Sequence, residues 1–304
     1  MDKELLFYIV YFVVIVLFYV WMTQPKSAKK LIECFEGKPL SDFREDQNKI
    51  ITFSDNYDKV YIRLYNVVVN EPAVYRNDII RIKDNTKLDG NSRVLEAGCG
   101  LGRHLEIIKE IAKGVVIEGV DKSQNMINQC RIRNPDAELL CTSLTVPEIY
   151  KKESLTHILA LHDTLYHNTP KEISNILNNF HKWLIPNGYL VVHIIDHFKL
   201  DPAPRSYSQL FKAPDDTRHS LTYFEGFTHE AWWEKHKNKN YWYNYCEKYI
   251  FQDKKIKIHT TPLWIPPVNK MLEYITRHHF KLKEIIELNE IEVTHYNIFI
   301  FVKV

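Results

Sequence analysis

The chain has little excess of charge of either sign. Lysines and arginines number 40 against 38 aspartates and glutamates, a net charge of +2. That balance offers no clustered basic face, so nucleic acid is not an expected partner. Cysteine is sparse: Cys34, Cys99, Cys130, Cys141 and Cys246 make up the 5 in the chain. None forms a CxxC pair or a metal-ligand spacing, so the set reads as free thiols in a reducing compartment, with no metal site expected. Asn-x-Ser/Thr sequons are missing too, which fits a domain that never enters a glycosylating lumen. There are no internal repeats and no low-complexity tracts. What remains, 45% hydrophobic and 26% charged residues, is an ordinary globular mixture.

One long apolar run is present. Leu5 to Met22, LLFYIVYFVVIVLFYVWM, carries no charge. About 18 residues at ~1.5 Å each span ~27 Å, close to a bilayer's hydrocarbon thickness. Tyr19 and Trp21 suit an aromatic belt, and Pro25 stops a helix beyond them. A cleaved signal peptide is the alternative, but MDKE is not basic and no A-x-A-like site follows. Lys26, Lys29 and Lys30 flank the run on its C-terminal side, while Lys3 sits between Asp2 and Glu4. The positive-inside rule therefore predicts a single-pass membrane protein whose remaining chain faces the cytoplasm. The expected plan is an N-terminal transmembrane anchor over 1–22, a stem over 23–56 and a catalytic domain over 57–304.

Within that domain, Tyr57–Val69 and Ala73–Ile82 read as helices broken at Asn70-Glu71-Pro72. Strands are expected at Arg93–Ala97, Val115–Val120, Glu138–Cys141, His157–Leu161 and Tyr189–Ile195. Helices are expected at Leu101–Ala112, Ser123–Arg133 and Lys171–Leu184. This βαβα order predicts an α/β fold with a mostly parallel, Rossmann-like sheet. From about 197 to 267 the rhythm changes to an aromatic, β-rich insertion, with strands at His219–Phe227, Tyr241–Phe251 and Lys255–Leu263. A helix at Asn269–His279 and two strands, Lys281–Leu288 and Asn297–Val304, close the chain.

The first strand runs into Gly98-Cys-Gly100-Leu-Gly102, where glycines let backbone approach a ligand that a Cβ would strike. A dinucleotide fingerprint wants glycine where Arg103 stands, which disfavours an NAD-binding oxidoreductase. Glu96, just before the turn, suits a cationic ligand better than a pyrophosphate. Asp121 ends the second strand, where a carboxylate can accept ribose hydroxyls. Its competing role is a helix cap shared with Ser123.

EAGCGLGRH, IEGVDKSQNMI and FHKWLIPNGYLVVHIID together resemble class I S-adenosylmethionine-dependent methyltransferases, over roughly Tyr57 to Val304. The resemblance implies a seven-stranded sheet with a reversed C-terminal hairpin and S-adenosyl-L-methionine as cofactor. It also implies that Glu96 faces the methionine end, Gly98 and Gly100 floor the site, Asp121 holds the ribose and Met126 borders the adenine. Gly102, Lys122, Thr142, Ser143 and Leu161 complete the implied cofactor set. Many family members hold the adenine amine with an acidic residue after the third strand; here Cys141-Thr142-Ser143 stands instead. The Tyr-rich leading helix, LALHDTLYHNTPKE and the aromatic insertion resemble, more narrowly, membrane-anchored methyltransferase-like proteins of large double-stranded DNA viruses.

The acceptor is expected beside Leu161–His167, where His162 or His167 could take a proton near neutral pH. Equally, His162 could pack on the cofactor and His167 cap the next helix. The usual Asn/Asp-Pro-Pro-Tyr of base amino-methylation is absent there. Trp232-Trp233 and Tyr241-Trp242-Tyr243, interleaved with Lys235, Lys237 and Lys239, could stack nucleobases, and also fit core or homodimer packing, a substrate lid or a membrane contact. The expected acceptor is a small molecule, a lipid-linked compound or a membrane-proximal protein. A non-catalytic cofactor-binding module of a virion or organelle membrane is the rival.

Overall fold

The structure is a computed structural model, described for residues 57–204, 208–288 and 296–304, all within one compact unit, Gln47–Val304. The expected anchor and stem lie outside the described residues. Among the described residues no helix is long and apolar enough to cross a membrane.

Helices α1 (Lys59–Val68) and α2 (Pro72–Asn85) lead the domain. Asp58 caps α1 by accepting from the Tyr61 amide, and Pro72 opens α2 where no amide donor is needed. There follow β1 (Arg93–Ala97), α3 (Arg103–Ile111), β2 (Val116–Asp121), α4 (Gln124–Arg133), β3 (Glu138–Cys141), β4 (Leu155–Ala160), α5 (Pro170–Trp183) and β5 (Leu184–Ile195). Helix α5 starts sharply because Thr169 and Glu172 form a capping box with Pro170 in the first turn. The insertion carries β6 (Gln209–Lys212), β7 (Arg218–Phe224), β8 (Phe227–Lys235), β9 (Trp242–Phe251) and β10 (Ile256–Trp264). Helix α6 (Val268–Thr276) and strands β11 (Phe280–Ile286) and β12 (Tyr296–Lys303) end the chain.

The main sheet has 7 strands in the order β11-β12-β5-β4-β1-β2-β3, with β12 antiparallel to both neighbours. The Rossmann-like sheet and reversed C-terminal hairpin are thus as expected. Strands β1, β4 and β5 are buried along most of their length because helices cover both faces. One face packs Ile79 and Ile82 of α2, Leu105 and Ile108 of α3 and Ile127 of α4. The other packs Ile173 and Phe180 of α5 with Met271 and Ile275 of α6.

The insertion is a 5-stranded antiparallel meander, β10-β9-β8-β7-β6. Two of its strands escaped the sequence reading. Every residue of β6 is exposed, so it has no buried stripe to show. The inward positions of β8 are Phe227, His229 and Ala231, a set whose hydropathy hides the period of two. Helix α1 ties this sheet to the rest: Tyr61, Leu64 and Val68 pack on Phe227 and Tyr249, while Ile62 packs on Leu101 and Met126.

Candidate active site

A cavity of about 340 Å³ opens where the C-terminal ends of β1 and β2 meet α1 and the insertion. Such a position, outside the carboxyl ends of parallel strands, is where open α/β sheets bind ligands. Glu96, Gly98, Gly100, Asp121, Lys122, Met126, Thr142, Ser143, Leu161, His162 and His167 all line it. Segments far apart in sequence are brought to one wall by the sheet order.

The three glycines of the turn are separated by their surroundings. All have positive φ. A Cβ on Gly98 would lie 2.4 Å from Thr164 Oγ1, so that position serves close packing. A Cβ on Gly100 would meet nothing within 4 Å, so the bare backbone there faces open space. Gly102 does not line the cavity; its missing Cβ makes room for Cys130 Sγ and Asn134 Nδ2, each 2.4 Å from the virtual atom. Gly102 therefore shapes the helix entry, in contrast to the cofactor contact expected of it.

Asp121 ends β2 with one carboxylate oxygen accepting from the Gly100 amide at 3.0 Å and the other from the Ser123 amide at 2.8 Å. Burial raises its pKa while those two amides oppose the rise. The helix cap itself belongs to Ser123, whose hydroxyl accepts from the Met126 amide. Asp121 is thereby left aimed at the cavity, with lone pairs still available for hydroxyl donors.

Glu96 lies at the base of β1, 4% exposed. Its Oε1 pairs with His104 Nδ1 at 2.7 Å, and its Oε2 is buried without a hydrogen-bond partner. His104 Nε2 in turn lies 3.7 Å from Asp78 Oδ2. Burial alone would discharge this imidazole, but the Glu96 and Asp78 carboxylates push its pKa up to about 9. The chain thus holds an imidazolium between two buried acids directly behind the glycine turn. Asp78, His104 and His162 also present ligand atoms within 4.8 Å of one another.

His162 occupies the left-handed region, φ 49°. Its amide donates to His193 Nδ1 at 2.9 Å, and its own Nδ1 meets the Tyr296 hydroxyl at 3.0 Å. Burial pushes His167 down to about 3, so it accepts a proton poorly at neutral pH. Between them stands Asp163, which the sequence reading passed over. Burial pushes its carboxyl up to about 6, and its Oδ1 is buried with no hydrogen-bond partner. The remaining wall comes from Tyr57 just before α1, from Tyr61 and Tyr65 of α1, and from Trp233, Tyr245 and Glu247 of the insertion. The aromatic insertion was a candidate substrate lid in the sequence, and Trp233 lies on the wall; Glu247 had no motif to mark it.

The donor set fits S-adenosylmethionine on structural grounds. Gly100 leaves room for close approach, Asp121 can accept hydroxyls, and the orphaned Glu96 Oε2 can accept from an ammonium group. Met126 offers an apolar flank, packed with Ile62 and Leu101.

Residues 94–188 match a family model described as "Methyltransferase domain". A curated relative, carboxy-S-adenosyl-L-methionine synthase of Shewanella halifaxensis (strain HAW-EB4), is 26% identical over 119 residues, 36% of this chain and 47% of that protein. The chain thus matches about half the length of that relative. Among solved structures, an amino pentose methyltransferase from Micromonospora echinaspora with the cofactor bound superposes with a TM-score of 0.62 at 16% identity, over 82% of this chain and 98% of that one. A sugar N-methyltransferase from Streptoalloteichus sp ATCC 53650 gives a TM-score of 0.62 at 13% identity, covering 84% and 97%. A methyltransferase from Streptomyces caelestis gives 0.61 at 14% identity, covering 77% and 91%. The fold is that of class I S-adenosylmethionine-dependent methyltransferases.

Proposed function

We propose that this methyltransferase domain transfers the methyl group of S-adenosylmethionine to a small-molecule acceptor, and that the Leu5–Met22 run holds it at a membrane with the domain in the cytoplasm. One observation carries the catalytic part: the cofactor set and an aromatic, acidic wall line the same cavity. The cofactor supplies a methyl carbon already activated by its sulfonium. The chain's task is to hold that carbon in line with the acceptor, exclude water and take a proton where the acceptor releases one. In this reading Asp121 holds the ribose, Glu96 the methionine ammonium, and Thr142 and Ser143 border the adenine. Neighbours named for an amino pentose and a sugar nitrogen favour a small acceptor over a macromolecule. So does an acceptor wall enclosed by α1 and the insertion.

Calorimetry of the purified chain should show binding of S-adenosylmethionine, and incubation with methyl-labelled cofactor and a small-molecule extract should yield labelled product. Heat with NAD but none with S-adenosylmethionine would overturn the assignment. Cofactor binding without any transfer would leave a binding module.

The membrane part rests on the uncharged run and on three lysines following it, against one lysine flanked by acids before it. On sealed microsomes a C-terminal tag should be digested by added protease without detergent. A tag protected until detergent is added would place the domain in the lumen. A product shortened by about 25 residues would indicate a cleaved signal peptide, since such segments are removed at that length.

A further inference from the structure

The carboxylates on the cavity wall are Glu71, Glu96, Asp121, Asp163, Asp201 and Glu247, against the fixed cations Lys122 and Arg103. Most of these charges are engaged inside the protein. Arg103 is held by Asn66 and Asn70. Glu247 accepts from Tyr61, His229 and Tyr249. Asp201 faces Arg218 at 3.5 Å, Glu96 pairs with His104, and both oxygens of Asp121 receive amides. Asp163 Oδ1, like Glu96 Oε2, is buried with no hydrogen-bond partner, but Glu96 has His104 beside it whereas no ion pair reaches Asp163 among the described residues. A buried polar atom left unmatched costs about 1–3 kcal/mol, so such an atom at a cavity wall marks a place for a ligand's donor.

The surroundings of Asp163 define which donor. Burial, with the Asp163 charge among the contributing causes, holds the phenols of Tyr57, Tyr65, Tyr245 and Tyr296 well above their ordinary pKa. These tyrosines line the same cavity, and Trp233 lies tilted against Tyr245 with ring centroids 4.8 Å apart. A carboxylate that shares a cavity wall with these aromatic rings suits a cation. The ring faces attract positive charge, the acid supplies the counter-charge, and exclusion of water strengthens both.

Resting on the methyltransferase reading, we infer that the acceptor is an amine, received as its ammonium form by Asp163 within the tyrosine ring, and that Asp163 takes a proton from it before methylation. The step balances. One N–H proton passes to the Asp163 carboxylate, freeing the nitrogen lone pair. That pair forms the N–C bond to the methyl carbon as the S–C bond breaks, and its electrons stay on sulfur, leaving a neutral thioether. The product is a methylated ammonium, and the proton on Asp163 leaves to solvent when the cavity opens. Desolvation favours the proton shift, because a buried ammonium–carboxylate pair gives way to two neutral groups.

The test uses the full chain in detergent micelles, saturated with S-adenosylhomocysteine. Choline and its neutral isostere 3,3-dimethylbutan-1-ol differ in charge with little change of shape. Choline is expected to bind at least tenfold more tightly, read by tyrosine and tryptophan fluorescence. Asp163→Asn should erase that preference while S-adenosylhomocysteine affinity stays within twofold. Asp163→Ser serves the same purpose if the first variant melts early. Equal binding of the two probes, or a preference surviving both substitutions, overturns the inference. A tenfold loss of S-adenosylhomocysteine affinity in Asp163→Asn does so too, since it makes Asp163 a cofactor ligand. In turnover with labelled cofactor and small-molecule extract, label should appear in base-stable, cation-exchanging products; label confined to neutral or base-labile products overturns the inference. Failure of the wild-type chain to bind S-adenosylhomocysteine would instead strike the methyltransferase reading itself.

Discussion

Replacing His104 with alanine is expected to destabilise the domain by roughly 3–5 kcal/mol, because it leaves Glu96 and Asp78 as buried acids with no cation between them. Both are at most 4% exposed, and Asp78 keeps His193 Nε2 at 3.7 Å as a neighbour. The melting temperature should fall by roughly 10 °C for a domain of this size. The loss also has a pH signature. His104 titrates near 9 in the fold against 6.5 in an open chain, so its contribution is whole below about pH 6.5 and disappears as pH rises through 9. Across that window the wild type should lose roughly 3 kcal/mol that His104→Ala and His104→Gln do not lose. Denaturant unfolding at pH 6.5 and pH 9.5 measures the difference. Parallel pH slopes for wild type and variants would show that His104 is neutral in the fold and that the ion-pair account is mistaken.

The second large effect falls on affinity. Asp121→Ala should weaken S-adenosylmethionine binding by roughly tenfold to a hundredfold, about 1.5–3 kcal/mol. Two losses combine there: the acceptor for the ribose hydroxyls, and the tether that holds the Gly100 amide at 3.0 Å. Cys141→Ala is the contrasting variant. Cys141 is exposed and does not line the cavity, so its affinity should stay near wild type. Calorimetry on both, with thermal melts to confirm folding, separates the possibilities. An Asp121→Ala protein that binds as tightly as wild type would reduce Asp121 to a turn-former for α4.

Much of the main sheet was legible in the chain. Arg93–Ala97 and Glu138–Cys141 have the strand limits expected of them, since each is a short apolar-centred run that ends at a glycine or polar turn. The glycine turn and Asp121 were legible for a related reason: β1, the turn and α3 are local, and parallel β1 and β2 fix the Asp121 end beside the turn. The period of two was obscured in β8, where His229 turns inward to meet Glu247 at 3.0 Å. A polar residue whose partner lies on another strand looks solvent-facing in sequence.

The sequence by itself determined the α/β class, the cofactor turn and the apolar run near the N-terminus, all of which rest on residues adjacent in the chain or on one hydropathy period. Tertiary structure alone decided which face of the site is acidic and aromatic. Tyr57, Tyr65, Asp163, Trp233 and Tyr245 come from α1 and its approach, the segment after β4 and the insertion sheet, and no spacing rule relates them. It also separated three glycines that are equivalent in sequence, because Gly98 meets Thr164, Gly102 meets Cys130 and Asn134, and Gly100 meets open space. The cause is the same in each case: the identity of the neighbour across a packed interface is set by long-range sheet order, which local sequence does not encode.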